Sequence, residues 1–215
     1  MTDTLTLRPY GARAVLVELP DAMSRRALTR WLDSTDHAGV SVIPAELTVL
    51  LDVSDLTIDE SDAQQRLRRV TRELADLDLS ALPAAEASDT RLHTIDVRYD
   101  GPDLDTVAQQ LAMSTDTLIR WHTDAPWTVE FLGFMPGFGY LTRDDHVQEV
   151  ARRHSPRSAI PAGSVGFAGR YSAIYPGSSP GGWQLVGHTE QRMFDLDAGG
   201  AALAPNDRVQ FRPVR

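Results

Sequence analysis

Between Gly133 and Gly187 the chain carries ten of its fifteen glycines and five of its thirteen prolines, and that density limits what this stretch can build. Glycine weakens helices and proline removes a backbone donor, so an amphipathic run of helical length does not survive here. Short apolar or aromatic pieces remain between the turn residues: Thr128 to Leu132, Val165 to Ala168 and Gln184 to Val186. They are of strand length and predict a small β-barrel with several tight loops. No internal repeat is visible.

The N-terminal third reads differently. Apolar stretches at Leu5 to Arg8 and Arg13 to Leu19 flank the turn Pro9-Tyr10-Gly11, and a helix opens near Asp21 with Met23, Ala27, Leu28, Trp31 and Leu32 at helical spacing. A strand pair follows at Val40 to Ile43 and Leu47 to Val53. A second helix carries the apolar stripe Ala63, Leu67, Val70, Leu74 and Leu77 between charged residues. Together these predict an α/β sandwich over residues 1–86. The Ala-, Ser- and Pro-rich stretch Leu79 to Asp89 reads as a linker, placing the barrel domain at 87–215. In that second domain His93 to Tyr99 has strand alternation, Pro102-Asp103 opens a helix, and Ser114 is placed to cap another that ends near His122.

Composition removes several function classes. The formal net charge is -9 and the arginines are scattered, so a nucleic-acid partner is not expected. Arg25-Arg26, Arg68-Arg69 and Arg152-Arg153 read as solvated helix faces. No apolar run reaches the roughly 20 residues of a membrane span, and the N-terminus lacks the pattern of a secretory signal, so a cytoplasmic protein is expected. Cysteine is absent, which excludes disulfides, thiolate nucleophiles and Cys-ligated zinc. Every basic residue other than histidine is arginine. Without lysine, the chain cannot supply a Walker-type phosphate lysine, a Schiff base or a biotin attachment point.

Three loops could carry chemistry: Gly133 to Tyr140, Pro156-Arg157 with Pro161 to Ser164, and Tyr175 to Gln184. Loops of this kind either aim bare N–H groups at an anion or simply turn barrel corners. Arg157, on a proline-flanked loop, reads as a bidentate clamp for a carboxylate or phosphate, or else as a surface ion pair. Ser164, Ser178 and Ser179 sit in no G-x-S-x-G elbow, so a serine nucleophile is not the default. Gln184 beside Trp183 could present an amide to a substrate or be a structural glutamine. His188 and Thr189 follow closely enough to reach the same cleft. The six histidines show no metal-binding spacing, and Asp144, Asp145 and Asp195 read as surface groups.

The run Phe131 to Leu141, FLGFMPGFGYL, is similar to the GF-x-PGF-x-YL signature of the family containing the B component of 5-oxoprolinase, the first component of allophanate hydrolase and the kinase inhibitor KipI. Pro156-Arg157, Pro161 to Val165, Ile174 to Pro176 and Ser179 to Gly187 follow its later motifs in order, and Tyr99 to Leu104 matches at the start of the second domain. The resemblance implies an α+β N-terminal sandwich followed by a cyclophilin-like β-barrel. It implies a larger partner with a homologous barrel, of the kind that forms the C component of 5-oxoprolinase or the second component of allophanate hydrolase, and in 5-oxoprolinase a third component as well. The implied reaction is ATP-dependent opening of 5-oxoproline to L-glutamate, with ATP handled through the complex. Allophanate or urea chemistry and kinase inhibition are the alternatives within the family. On this reading Arg157, Gln184 and His188 are the catalytic candidates, and Tyr140, Ser164, Gly181, Gly182 and Thr189 bind substrate. The chain departs from the family where Gly139 replaces Pro, His188 replaces Arg, and Asn206-Asp207 replaces Gly-Asp.

Overall fold

The structure is a computed structural model that describes residues 5–53, 57–82, 90–143 and 149–215. The chain divides into two compact units, Met1–Ser88 and Asp89–Arg215. The linker and boundary expected near residue 86 fall largely on 83–89, outside the described residues, as do Asp144, Asp145 and His146. Among the described residues, no helix is long and apolar enough to cross a membrane.

In the first unit, strands β1 (Thr6–Pro9), β2 (Ala14–Glu18), β3 (Ser41–Pro44) and β4 (Thr48–Asp52) form an antiparallel sheet in the order β1-β2-β4-β3. Helices α1 (Ala22–Ser34) and α2 (Glu60–Ala75) start at aspartates. The Asp21 side chain accepts from the Ser24 amide at 2.7 Å and Asp59 from the Asp62 amide at 2.8 Å, each satisfying an orphan donor of a first turn. Ala63, Leu67, Val70 and Leu74 of α2 enter one core with Val17, Val49 and Leu51 of the sheet and with Val53 just past β4. In α1 the buried stripe is Arg25, Leu28, Thr29 and Leu32, spaced i, i+3, i+4, i+7. Met23 lies off that stripe and is 75% exposed, which corrects its expected place on the core face.

In the second unit the strands are β5 (Leu92–Arg98), β6 (Trp127–Leu132), β7 (Gly139–Thr142), β8 (Arg157–Ile160), β9 (Ser164–Ala168), β10 (Tyr171–Ile174), β11 (Ser179–Gly181), β12 (Gln184–His188), β13 (Phe194–Asp195), β14 (Gly200–Ala201) and β15 (Arg208–Val214). Seven of them close a barrel in the order β10-β7-β6-β15-β5-β12-β9, while β8 pairs with β11 and β13 with β14 outside it. Only β5 and β15 run parallel within it, paired from Leu92 opposite Arg208 to Arg98 opposite Val214. Ile95, Val97, Val129, Val165, Phe167, Val186, Val209 and Phe211 fill the interior. Helices α3 (Leu104–Gln110) and α4 (Thr115–Thr123) add Val107, Ala108 and Leu118 to this core, and α4 is capped by Ser114, which accepts from the Thr117 amide at 3.2 Å. Asn206 takes φ +73°, a left-handed conformation that asparagine tolerates better than most residues.

The last turn of α4 brings His122 into this core, fully buried and stacked on Phe211 with ring centroids 4.1 Å apart. Its Nδ1 meets the Tyr99 hydroxyl and its Nε2 meets Ser172 Oγ at 2.9 Å. A neutral imidazole donates at one nitrogen and accepts at the other, and both hydroxyls can take the complementary role. Burial, reinforced by the Arg143 charge, lowers the His122 pKa to about 3. An unfolded histidine titrates near 6.5, so between that pH and about 3 the unfolded chain binds the extra proton. Stability from this site is therefore fully present above pH 6.5 and is lost as pH falls toward 3, with a limiting slope of about 1.4 kcal/mol per pH unit. Denaturant titrations from pH 7 to 4 are expected to show this slope in the wild type and a clearly smaller one in His122→Gln. Equal slopes would refute the assignment.

Candidate functional site

Two backbone approaches set the geometry of this region. The Gly101 amide donates to the Val186 carbonyl at 3.1 Å and the Asp103 amide to the Leu185 carbonyl at 2.9 Å, pressing residues 100–103 against β12. A Cβ on Gly101 would lie 2.3 Å from the Val186 carbonyl carbon, and one on Gly187 would lie 2.4 Å from the Arg98 oxygen. Only glycine permits such contact at either place. The approach delivers two carboxylates to candidate residues, Asp100 to His188 and Asp103 to Arg157.

Asp103 precedes α3 but makes no cap bond with its side chain. Its carboxylate is buried and turned toward two arginines instead. Oδ1 accepts from Arg153 at 2.8 Å and from Arg157 Nη2 at 2.9 Å, while Oδ2 accepts from the Leu185 amide at 2.7 Å and lies 2.8 Å from Arg157 Nη1. Burial alone would raise the Asp103 pKa. The Arg157 hydrogen bond, the Leu185 amide and the two guanidinium charges outweigh it and hold the carboxyl below its ordinary value. Arg157, expected to clamp a substrate anion with its fork, therefore has both terminal nitrogens against Asp103. The triad keeps one net positive charge, because a single carboxylate faces two guanidinium groups.

Asp100, Arg157, Ser164 and His188 line one open cleft of about 430 Å³, with Pro161 and Ala162 as an apolar wall. His188 Nδ1 lies 2.8 Å from Asp100 Oδ1, and His188 stands opposite Ser164 in the β9–β12 pairing. A carboxylate at Nδ1 favours the tautomer that leaves Nε2 free to accept a proton. Thr189 lines an adjoining groove that shares His188. Asp100 is a site residue that sequence reasoning misses. Its one signal there is its place in the matched segment Tyr99 to Leu104.

The remaining candidates lie elsewhere. Tyr140 belongs to an aromatic cluster, stacked on Phe131 at 4.4 Å and edge-on to Phe138, Tyr171 and Trp183. Tyr175 joins the same cluster, and burial, followed by the neighbouring Tyr140, pushes its phenol up to about 12. Gly181 stands opposite Arg157 in the β8–β11 pairing, where a Cβ would come within 2.8 Å of Ile160 and the Tyr175 hydroxyl. The Gly182 carbonyl accepts from the Arg153 amide at 2.7 Å. Gln184 is buried and donates to the Ala151 carbonyl at 3.1 Å, which is the structural alternative for this residue. Several loop amides are satisfied locally, which is the barrel-corner alternative for them: Gly133 donates to Phe138, Met135 to Gly133, Phe138 to Met135 and Gly163 to Tyr175. Asp195 accepts from Arg192 and from the Asp197 amide in a surface turn.

The separation of Gln184 from His188 has a definite cause. Residues four apart on a regular strand share a face, but the β9–β12 register slips between Leu185 and Gly187. The extra residue, Val186, reverses the alternation, so Gln184 falls opposite the core residue Phe167 while His188 falls opposite Ser164.

Residues 5–204 match the family model described as carboxyltransferase domain, subdomain C and D. The chain is 34% identical over 218 residues to the B component of 5-oxoprolinase from Haemophilus influenzae, covering 96% of this chain and 97% of the relative. Among solved structures, the crystal structure of TTHA0988 superposes with a TM-score of 0.73 at 30% identity, covering 98% of this chain but only 40% of the other. The K. lactis urea amidolyase superposes with a TM-score of 0.72 at 21% identity, covering 99% of this chain and 15% of that one, a likeness of fold.

The triad predicts a clear thermodynamic asymmetry. Asp103→Asn leaves two half-buried guanidinium groups without a counter-charge and is expected to cost about 2–4 kcal/mol in urea titrations. Asp96→Asn, which breaks the exposed pair with Arg212, is expected to cost much less. Equal losses would show that Asp103 does not organise the site.

Proposed function

The chain belongs to the family of carboxyltransferase-domain subdomains C and D, and from that premise we propose that it is the B-type component of an ATP-dependent 5-oxoprolinase. The observation that carries this is the similarity to the corresponding component of a 5-oxoprolinase along nearly the full length of both chains. In this reading the barrel is cyclophilin-like and works beside a larger partner with a homologous barrel, with or without a third component. The substrate is a small cyclic amide. ATP is used by the complex, and no biotin is attached to this lysine-free chain.

The reaction divides into activation and ring opening. Transfer of the γ-phosphoryl group to the lactam oxygen makes the ring carbon electrophilic. Water adds there, the C–N bond breaks with its electron pair going to nitrogen, and a second water cleaves the resulting acyl phosphate. L-glutamate, ADP and phosphate are the products. His188, with Nδ1 held by Asp100, takes the proton of the attacking water at Nε2. Ser164 and the apolar wall of Pro161 and Ala162 seat the ring. Arg157 contributes the net positive charge of its triad as a fixed field, and Gly181 pairs with its strand from outside the cleft.

The test is formation of ADP and glutamate from ATP and 5-oxoproline, first with this chain alone and then with the chain co-expressed with the products of neighbouring genes. Turnover is expected only in the co-expressed sample. His188→Asn in that complex should lower kcat by about 100-fold or more. No turnover with all partners soluble and bound would overturn the reading. Ammonia release or biotin dependence would point instead to allophanate or urea chemistry, and inhibition of a histidine kinase by the chain alone to a regulator.

A further inference from the structure

The groove that adjoins the candidate cleft carries its own recognition chemistry. Strand β5 sends Ile95 and Val97 into the barrel, which leaves Thr94, Asp96 and Arg98 on its outer face. Arg98 stands opposite His188 in the β5–β12 pairing, and both line a groove of about 490 Å³ together with Thr94, Asp96, Thr189 and Glu190. Among the described residues the Arg98 guanidinium has no hydrogen bond or ion pair. Asp96 does not supply one, because both its oxygens are taken by Arg212 at 2.5 and 2.8 Å. Thr189 is buried, and its Oγ1 accepts from the Gln191 amide at 3.2 Å, which leaves the hydroxyl proton to donate. One guanidinium, two hydroxyls and an imidazole thus line one groove, beside an Asp96 already paired with Arg212 and the exposed Glu190.

We propose that this groove binds a small monocarboxylate, with Arg98 as its bidentate anchor and Thr189 as a supporting donor. Glu190 sits at the rim, 3.9 Å from His188 Nε2, and opposes a phosphate dianion, whereas a single guanidinium matches a single carboxylate. The inference deepens the reading above and rests on it for the identity of the substrate. A carboxylate held by Arg98 leaves the attached lactam to reach across His188 into the cleft lined by Pro161, Ala162 and Ser164. The role expected for Arg157, which is committed to Asp103, falls to an arginine of another strand.

The experiment follows the histidine ring signals of the full chain, labelled with 15N-histidine, during titration with 5-oxoproline and with 2-pyrrolidinone, the same lactam without its carboxylate. Saturable shifts at His188 are expected with 5-oxoproline and not with 2-pyrrolidinone. Arg98→Gln should weaken binding roughly 10- to 100-fold, and Thr189→Val by a smaller factor. No shift in the wild type, or the same affinity in Arg98→Gln, overturns the proposal. In the co-expressed complex Arg98→Gln should raise KM with kcat changed by less than about threefold, and the reverse pattern also overturns it. Arg98-dependent binding in a sample whose wild-type complex shows no turnover would sink the oxoprolinase reading and leave the carboxylate groove standing.

Discussion

The Asp103 carboxylate holds the candidate site in one shape. Its two oxygens serve the Leu185 amide on β12, Arg157 on β8 and Arg153 in the segment before it, so one buried group fixes three pieces of chain that are 50 to 82 positions away in sequence. Burying a carboxylate is costly, and it persists here because every contact is charge-assisted or comes from a backbone amide. The same contacts remove Arg157 from the set of groups free to grip an anion. An arginine held in this way contributes a preorganised field to the cleft rather than a movable clamp.

Close backbone approach is the condition for that arrangement. Without glycine at 101 and 187, residues 98–103 could not lie against β12, and neither Asp103 nor Asp100 would reach its partner. The bulge at Val186 then decides which side chains of β12 share the cleft. Backbone devices without side-chain chemistry of their own therefore select His188 and exclude Gln184.

The fold is most legible in the sequence where periodicity alone determines structure. The stripe of α2, the start of α1 at Asp21 and the alternation of Ile95 and Val97 need no knowledge of distant partners. Glycine and proline density also points to a barrel. The less legible features depend on pairing across the chain. Arg157 shows its charge in sequence, but not that Asp103, 54 positions earlier, already holds it. His122 looks like one histidine among six, while its core position between Tyr99 and Ser172 is a product of the closed barrel. Gln184 and His188 share a face on a regular strand, and only the bulge parts them. Periodicity misplaces Met23 because the buried stripe of α1 runs through Arg25 and Thr29, polar residues that hide the phase of the helix.

The distribution of cations bears on what a partner must provide. Around the candidate site Arg153 and Arg157 are bound to Asp103, and Arg212 is bound to Asp96. Among the described residues that line the groove and the cleft, Arg98 is the guanidinium left, and one guanidinium suits one carboxylate far better than a triphosphate with its metal ion. The chain as a whole is acidic and has no lysine, so its long-range field does not favour a polyanion either. On the proposed reading the nucleotide is therefore held by another polypeptide of the complex, and this barrel contributes the proton-accepting His188 and the seat for the amide. On that reading, a chain with so little phosphate-binding equipment serves an ATP-dependent enzyme by leaving the nucleotide to its partner.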